Sequence, residues 1–214
     1  IEMKKLLNLI FLLLLFSCSA NNAPQKNIEE TILKFDSKLG LLQKSYRLWN
    51  EQTTGEFESL LDFKTFSSLS RLENAISYSL SCQDTIKSKA MGIQEMLVEY
   101  GNELKSFILK QDAKNKFEVQ WLETREDIIK TMHYDVEAIN IYLKLFLFMK
   151  KQFNYYEIED ATILFENEDI LQEYNNHIEE LDNCTEITVK QTELRAKVLK
   201  EYTQLINSIK NNKD

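Results

Sequence analysis

Asn27-Ile28-Glu29-Glu30-Thr31-Ile32-Leu33-Lys34-Phe35-Asp36-Ser37-Lys38-Leu39-Gly40-Leu41-Leu42-Gln43-Lys44-Ser45-Tyr46-Arg47-Leu48-Trp49 is the stretch that decides the fold class. Its apolar residues Ile28, Ile32, Phe35, Leu39, Leu42, Tyr46 and Trp49 are spaced alternately by four and three. A 3.6-residue helix places all of them on one face, so the spacing predicts a long amphipathic helix with that stripe toward a core. Asn27 and Glu30 stand three apart, as in a capping box, and mark its start. Thr53-Thr54-Gly55 marks its expected end.

The same period continues along the chain. A second helical segment, Glu56 to Cys82, carries Phe57, Leu60, Leu61, Phe66, Leu69, Leu72, Ile76 and Leu80. Its phase shifts near Asp62, which predicts a kink or short break there. From Asp84 a third stripe runs through Ile86, Ala90, Ile93, Leu97, Tyr100, Leu104 and Phe107, and one long helix could join it to the second. A fourth helix follows Asp112-Ala113-Lys114-Asn115-Lys116. Its part from Ile139 to Met149 is apolar all round, which suits the centre of a bundle. Asn154 to Asp160 reads as a connection and Ala161 to Phe165 as a short helix. The charged run Glu166 to Asp169 suits the N-terminus of a last helix, bent near Asn183.

Four glycines and one proline in 214 residues leave few breaks. The reading is therefore all-α: an antiparallel bundle of four to six helices, several of them long. The formal net charge of −8 argues against nucleic acid as partner, because phosphate binding needs a basic patch. It also argues against direct contact of the domain with an anionic bilayer surface, other than through a lipid.

The N-terminus carries a different signal. Met3-Lys4-Lys5 is followed by Leu6-Leu7-Asn8-Leu9-Ile10-Phe11-Leu12-Leu13-Leu14-Leu15-Phe16 and then Ser17-Cys18. A basic start, a short apolar run and a small residue before the cut make a secretory signal. The run is too short to span a bilayer. Leu15-Phe16-Ser17-Cys18 resembles the lipobox of bacterial lipoproteins. That resemblance implies a signal peptide over residues 1–17, cleavage before Cys18 and lipid on Cys18. The lipidated cysteine and a polar tether then occupy 18–27, and the helical domain 28–214. With Ser19 rather than Asp after the cysteine, the resemblance implies the outer membrane more than the inner.

Cys82 and Cys184 remain, an even pair in an oxidising compartment. The pair reads as a disulfide, or else as two buried thiols.

Catalytic constellations are sparse. His133 has Glu137 one turn on, and His177 lies between Glu173 and Glu180, but neither has the second-helix partner of a di-metal bundle. No metal, cofactor or catalytic residue is therefore expected. Tyr155-Tyr156 with Glu157, Glu159 and Asp160 offers an aromatic, acidic connection that could anchor a partner or fold onto the bundle end. The expected role is a non-enzymatic protein-binding module of accessory, exclusion or immunity type, anchored through Cys18, with a partner bearing a basic patch. The alternative is a bundle that holds a small apolar ligand or lipid around Ile139 to Met149.

Overall fold

The computed structural model describes residues 23–211. Cys18, the signal peptide and the first residues of the tether lie outside them. Helix α1 spans Ala23–Leu60, α2 Phe63–Phe66, α3 Leu69–Ser106 and α4 Gln111–Lys151. A two-stranded hairpin follows, β1 (Tyr156–Glu159) and β2 (Thr162–Phe165), then α5 (Glu168–Asp182) and α6 (Cys184–Asn211). The class is all-α, with one hairpin set into it.

Phe35 stacks on Tyr100 with ring centroids 3.6 Å apart, and Phe57 meets Tyr78 at 5.4 Å. As the number rises on α1 it falls on α3, so the two helices are antiparallel. Gln83 bonds Asn140 and Lys150 pairs with Glu73, which gives α3 and α4 the same relation. Gln191 bonds Asp135 while Lys197 pairs with Asp127, so α6 runs against α4.

The core is divided. One cluster holds Phe57, Leu72, Ile86, Phe146 and Met149, with the hairpin packed on it. The other holds Ile28, Ile32, Phe35, Leu97, Leu104, Trp121 and Ile209. The first lies toward the hairpin, the second toward the N-terminal end of α1.

Several boundaries fall where the sequence places them. The break after α1 has Asp62 as cap, its carboxylate accepting from the Lys64 amide at 3.0 Å. A second break falls at Asn183, between α5 and α6. Asn167 caps α5 by accepting from the Ile170 amide at 2.9 Å, and Glu168 and Asp169 sit in the first turn beside the positive end of the helix dipole. Ile139 to Met149 is buried on one side only: Leu145, Phe146 and Met149 are wholly buried, but Leu147 is exposed, so the segment is not enclosed all round as its composition suggests.

Other expectations are corrected. Helix α1 begins at Ala23, inside the segment read as tether, because proline is tolerated in a first helical turn. It also continues past Thr53-Thr54-Gly55. Thr53 and Thr54 donate their hydroxyls back to the carbonyls of Trp49 (2.8 Å) and Asn50 (2.9 Å), which settles both inside the helix. The α1 stripe is not uniformly inward. Ile28, Ile32 and Phe35 are buried, but Leu42 is 40% exposed.

Residues 162–165 form a strand rather than a helix. Tyr156 pairs with Phe165 and Ile158 with Ile163 on the inner face, leaving Glu157, Glu159 and Leu164 outward. The β-branched and aromatic alternation suits a half-buried strand.

The expected disulfide is absent. Cys82 and Cys184 are both free thiols. Cys82, on α3, interacts with Tyr78 and with Thr53 of α1, whereas Cys184 opens α6 near Tyr142 of α4. The two cysteines have different neighbours, and burial raises both thiol pKa values.

Candidate functional site

Charge is distributed unevenly along the chain. From Gln152 to Val189 there are eleven acidic residues and no lysine or arginine. The whole chain carries −8, so the remainder is net basic. The fold gathers that segment into one unit, the hairpin together with α5 and the start of α6.

Buried rings hold the unit in place. Tyr156 donates its phenol to the Phe66 carbonyl at 2.6 Å, tying the hairpin to α2; burial pushes that phenol up to about 12. Phe165 packs on Tyr174 at 5.0 Å, joining β2 to α5. His177 lies against Phe148 at 5.0 Å, joining α5 to α4. Lys144 and Glu180 add an ion pair of 3.0 Å across the same contact. His177 is thus half-buried against an aromatic ring, and His133 is exposed on α4. Among the described residues no group of three or more His, Cys, Asp or Glu is arranged to hold a metal.

The outward surface of this unit is acidic with apolar points. Glu157, Glu159, Asp160, Glu166, Glu168, Asp169 and Glu173 are all exposed. Tyr155, Leu164 and Leu171 stand exposed among them, and Leu164 lies directly across from Glu157 in the hairpin register. Tyr155-Tyr156 therefore divides its work: Tyr156 folds onto the bundle end and Tyr155 faces solvent. The hairpin turn is strained, with Asp160 at φ 46° and Ala161 at φ 62°.

Two polar cross-links inside the bundle position the helices. Asp36 accepts from Tyr202, which also contacts Tyr100 at 3.1 Å. Asp135 accepts from Tyr46 and Gln191. Burial raises the pKa of both carboxyls. The Tyr202 phenol and Lys210 oppose the rise at Asp36, as do Tyr46, Gln191 and Arg195 at Asp135. Sequence periodicity does not reveal these links, because it registers the apolar neighbours one turn away, Ile32 and Leu39 beside Asp36 and Met132 and Ile139 beside Asp135, and is silent on which polar residue on another helix each acid meets.

Within Ile139 to Met149, Ile139, Leu145, Phe146, Phe148 and Met149 are buried, whereas Leu147 is exposed. Two depressions lie elsewhere, one of about 20 Å³ between α1 and α3 and the other an open groove along the outer face of α3. No helix among the described residues is long and apolar enough to cross a membrane.

No family model matches the chain, and neither a curated protein nor a solved structure does.

Proposed function

We propose that this chain is a lipid-anchored protein of the bacterial cell envelope, held through Cys18, that works by binding another protein. The observation that carries the reading is the segregation of eleven acids, with no lysine or arginine, into the unit from Gln152 to Val189. That unit packs on the cluster remote from the start of α1, where the chain arrives from its anchor. A partner with a basic patch would be steered to it at long range. Tyr155, Leu164 and Leu171 would supply the apolar anchors that charge alone lacks.

The buried rings of the hairpin suit presentation rather than chemistry, since they fix an exposed surface without enclosing a substrate. A ligand bundle is less favoured, because Leu145, Phe146 and Met149 are fully covered by protein.

The test is crosslinking and pull-down from cell envelopes with wild type and a Glu157→Lys, Glu168→Lys, Glu173→Lys variant. A partner recovered at low salt, weakened at high salt and lost in the variant supports the reading. Recovery unaffected by both salt and variant overturns it. Fatty-acid labelling that marks wild type and Cys18→Ser equally overturns the anchor.

A further inference from the structure

We infer that the outer edge of β1 receives an extended strand of the partner protein, one that carries lysine or arginine at alternate positions. The inference rests on the protein-binding reading above and names the form that the partner takes at the acidic unit.

The hairpin register fixes which backbone groups are free. Asp160-Ala161 is a two-residue turn, so Glu159 and Thr162 face each other in a hydrogen-bonded pair, and Glu157 and Leu164 in the next. The Glu166 amide donates to the Tyr155 carbonyl at 3.0 Å and continues the series. Tyr156 and Ile158 stand at the alternate positions and turn their N–H and C=O groups away from β2. Among the described residues neither amide has an acceptor elsewhere. Nor does any described element except β2 pack along β1 beyond isolated contacts. The far edge is less open, since Phe165 of β2 lies against Tyr174 of α5.

The β1 edge is also held still from beneath. Tyr156 is fixed by its phenol on the Phe66 carbonyl, and its ring meets Phe153 at 6.0 Å. Ile158 packs, partly buried, on the first core cluster. Little ordering of the edge therefore opposes an arriving strand. In strand addition the main-chain bonds supply affinity and the alternate side chains supply selectivity.

Charge selects the occupant. Glu157 and Glu159 are exposed on the outer face of β1, two positions apart, so each would stand beside an outward residue of the added strand. A second copy of β1 would set these acids against each other, which is destabilising. Lysine or arginine at alternate positions would pair with both. The surroundings do not cancel the acids. Lys64, Arg71, Lys150 and Lys151 are the bases on α2 and on the adjoining ends of α3 and α4. Lys150 is paired with Glu73, and Asp62 lies two positions from Lys64. Against the two that remain stand Glu157, Glu159, Asp160, Glu166, Glu168 and Asp169, all exposed.

The experiment uses the full lipidated protein in nonionic detergent, isotope-labelled at the isoleucine nitrogens, with the peptide acetyl-Lys-Val-Lys-Val-Lys-Val-Lys-amide. Binding should slow hydrogen exchange at the Ile158 amide and leave Ile163, on the far edge, unchanged. The same peptide methylated on every backbone nitrogen keeps its charge, loses its backbone donors and should not bind. Ile158→Pro removes the outward donor while sparing the bonds to β2, and should lose binding with circular dichroism unchanged. Peptide binding that leaves Ile158 exchange unchanged, or that survives methylation, overturns strand addition. An Ile158 amide already protected without peptide means that a second copy occupies the edge, and overturns it as well. So does the absence of any peptide binding. The envelope pull-down decides the protein-binding reading separately, so the two can fail independently.

Discussion

The phenol of Tyr46 on α1 donates a 2.5 Å hydrogen bond to Oδ2 of Asp135 on α4, 89 positions further along the chain. Gln191 of α6 donates to the other carboxylate oxygen at 3.0 Å and to the Thr131 carbonyl at 2.7 Å. One acid thus joins three helices near the middle of α1, where the apolar stripe is thinly covered. Asp36 makes the corresponding link to Tyr202 nearer the base, and its Oδ2 is buried without a hydrogen-bond partner among the described residues.

Both carboxyls have folded pKa values raised by burial. The folded state therefore holds these protons more tightly than the unfolded chain does. Their contribution to stability is complete below the unfolded carboxylate value of about 4 and is lost as pH rises through the folded values. In urea titrations across that range, Asp36→Asn and Asp135→Asn should each flatten the decline in stability relative to wild type. Identical slopes in wild type and both variants would remove these acids from the account.

Gly101 of α3 stands directly beneath the indole of Trp121, and a Cβ there would collide with the ring. The close approach lets Trp121 donate Nε1–H to the Leu97 carbonyl at 3.1 Å. Gly101→Ala should push the ring out and destabilise the protein by about 1–3 kcal/mol, despite the better helix propensity of alanine. Calorimetry reads the difference, and the same substitution at open Gly92 is the control, expected to be neutral or slightly stabilising.

The sequence is most legible where a local rule and the tertiary structure agree. The phase shift at Asp62, the charged run Glu166 to Asp169 and the polar stretch after Asn183 mark helix boundaries, and the structure supplies side-chain caps at Asp62 and Asn167. The hairpin is hidden because its strands are four residues each and its Asp160-Ala161 turn lacks the glycine or asparagine that signals one. An even cysteine count carries no distance, so it could not say that Cys82 and Cys184 have different neighbours. The eleven acids are visible in the sequence, but net charge sums over position. Only the fold shows that they share one end.

Cys82 is buried and Cys184 partly exposed, each with a thiol pKa raised by burial. Mass-spectrometric mapping after alkylation at neutral pH should find Cys184 modified slowly and Cys82 only on unfolding, because the thiolate is the reactive form. A Cys82–Cys184 peptide recovered under non-reducing conditions would contradict the structure.

The α1 stripe should give a graded response. Phe35 is buried and stacked on Tyr100, so Phe35→Ala should cost about 3–5 kcal/mol. Leu42 lies on the same stripe but is 40% exposed, and Leu42→Ala should cost about 1 kcal/mol or less. Equal and large losses at both positions, read by urea denaturation, would mean that another surface covers Leu42 in solution.

The tip of the hairpin offers a substitution that should stabilise. Asp160 and Ala161 form its two-residue turn with φ of 46° and 62°, the left-handed geometry that a tight hairpin needs. Aspartate tolerates it through local hydrogen bonding, but alanine has no such help, and its Cβ crowds the adjoining carbonyl at a cost of roughly 1–2 kcal/mol. Glycine removes that crowding and gives back part of the gain as extra freedom in the unfolded chain. Ala161→Gly should therefore raise stability by about 0.5–1 kcal/mol and slow hydrogen exchange at the ladder amides of Glu157 and Leu164, which face each other in a hydrogen-bonded pair. Its side chain is exposed, so no packing is lost. A destabilised Ala161→Gly variant would mean that this turn does not adopt the left-handed geometry in solution.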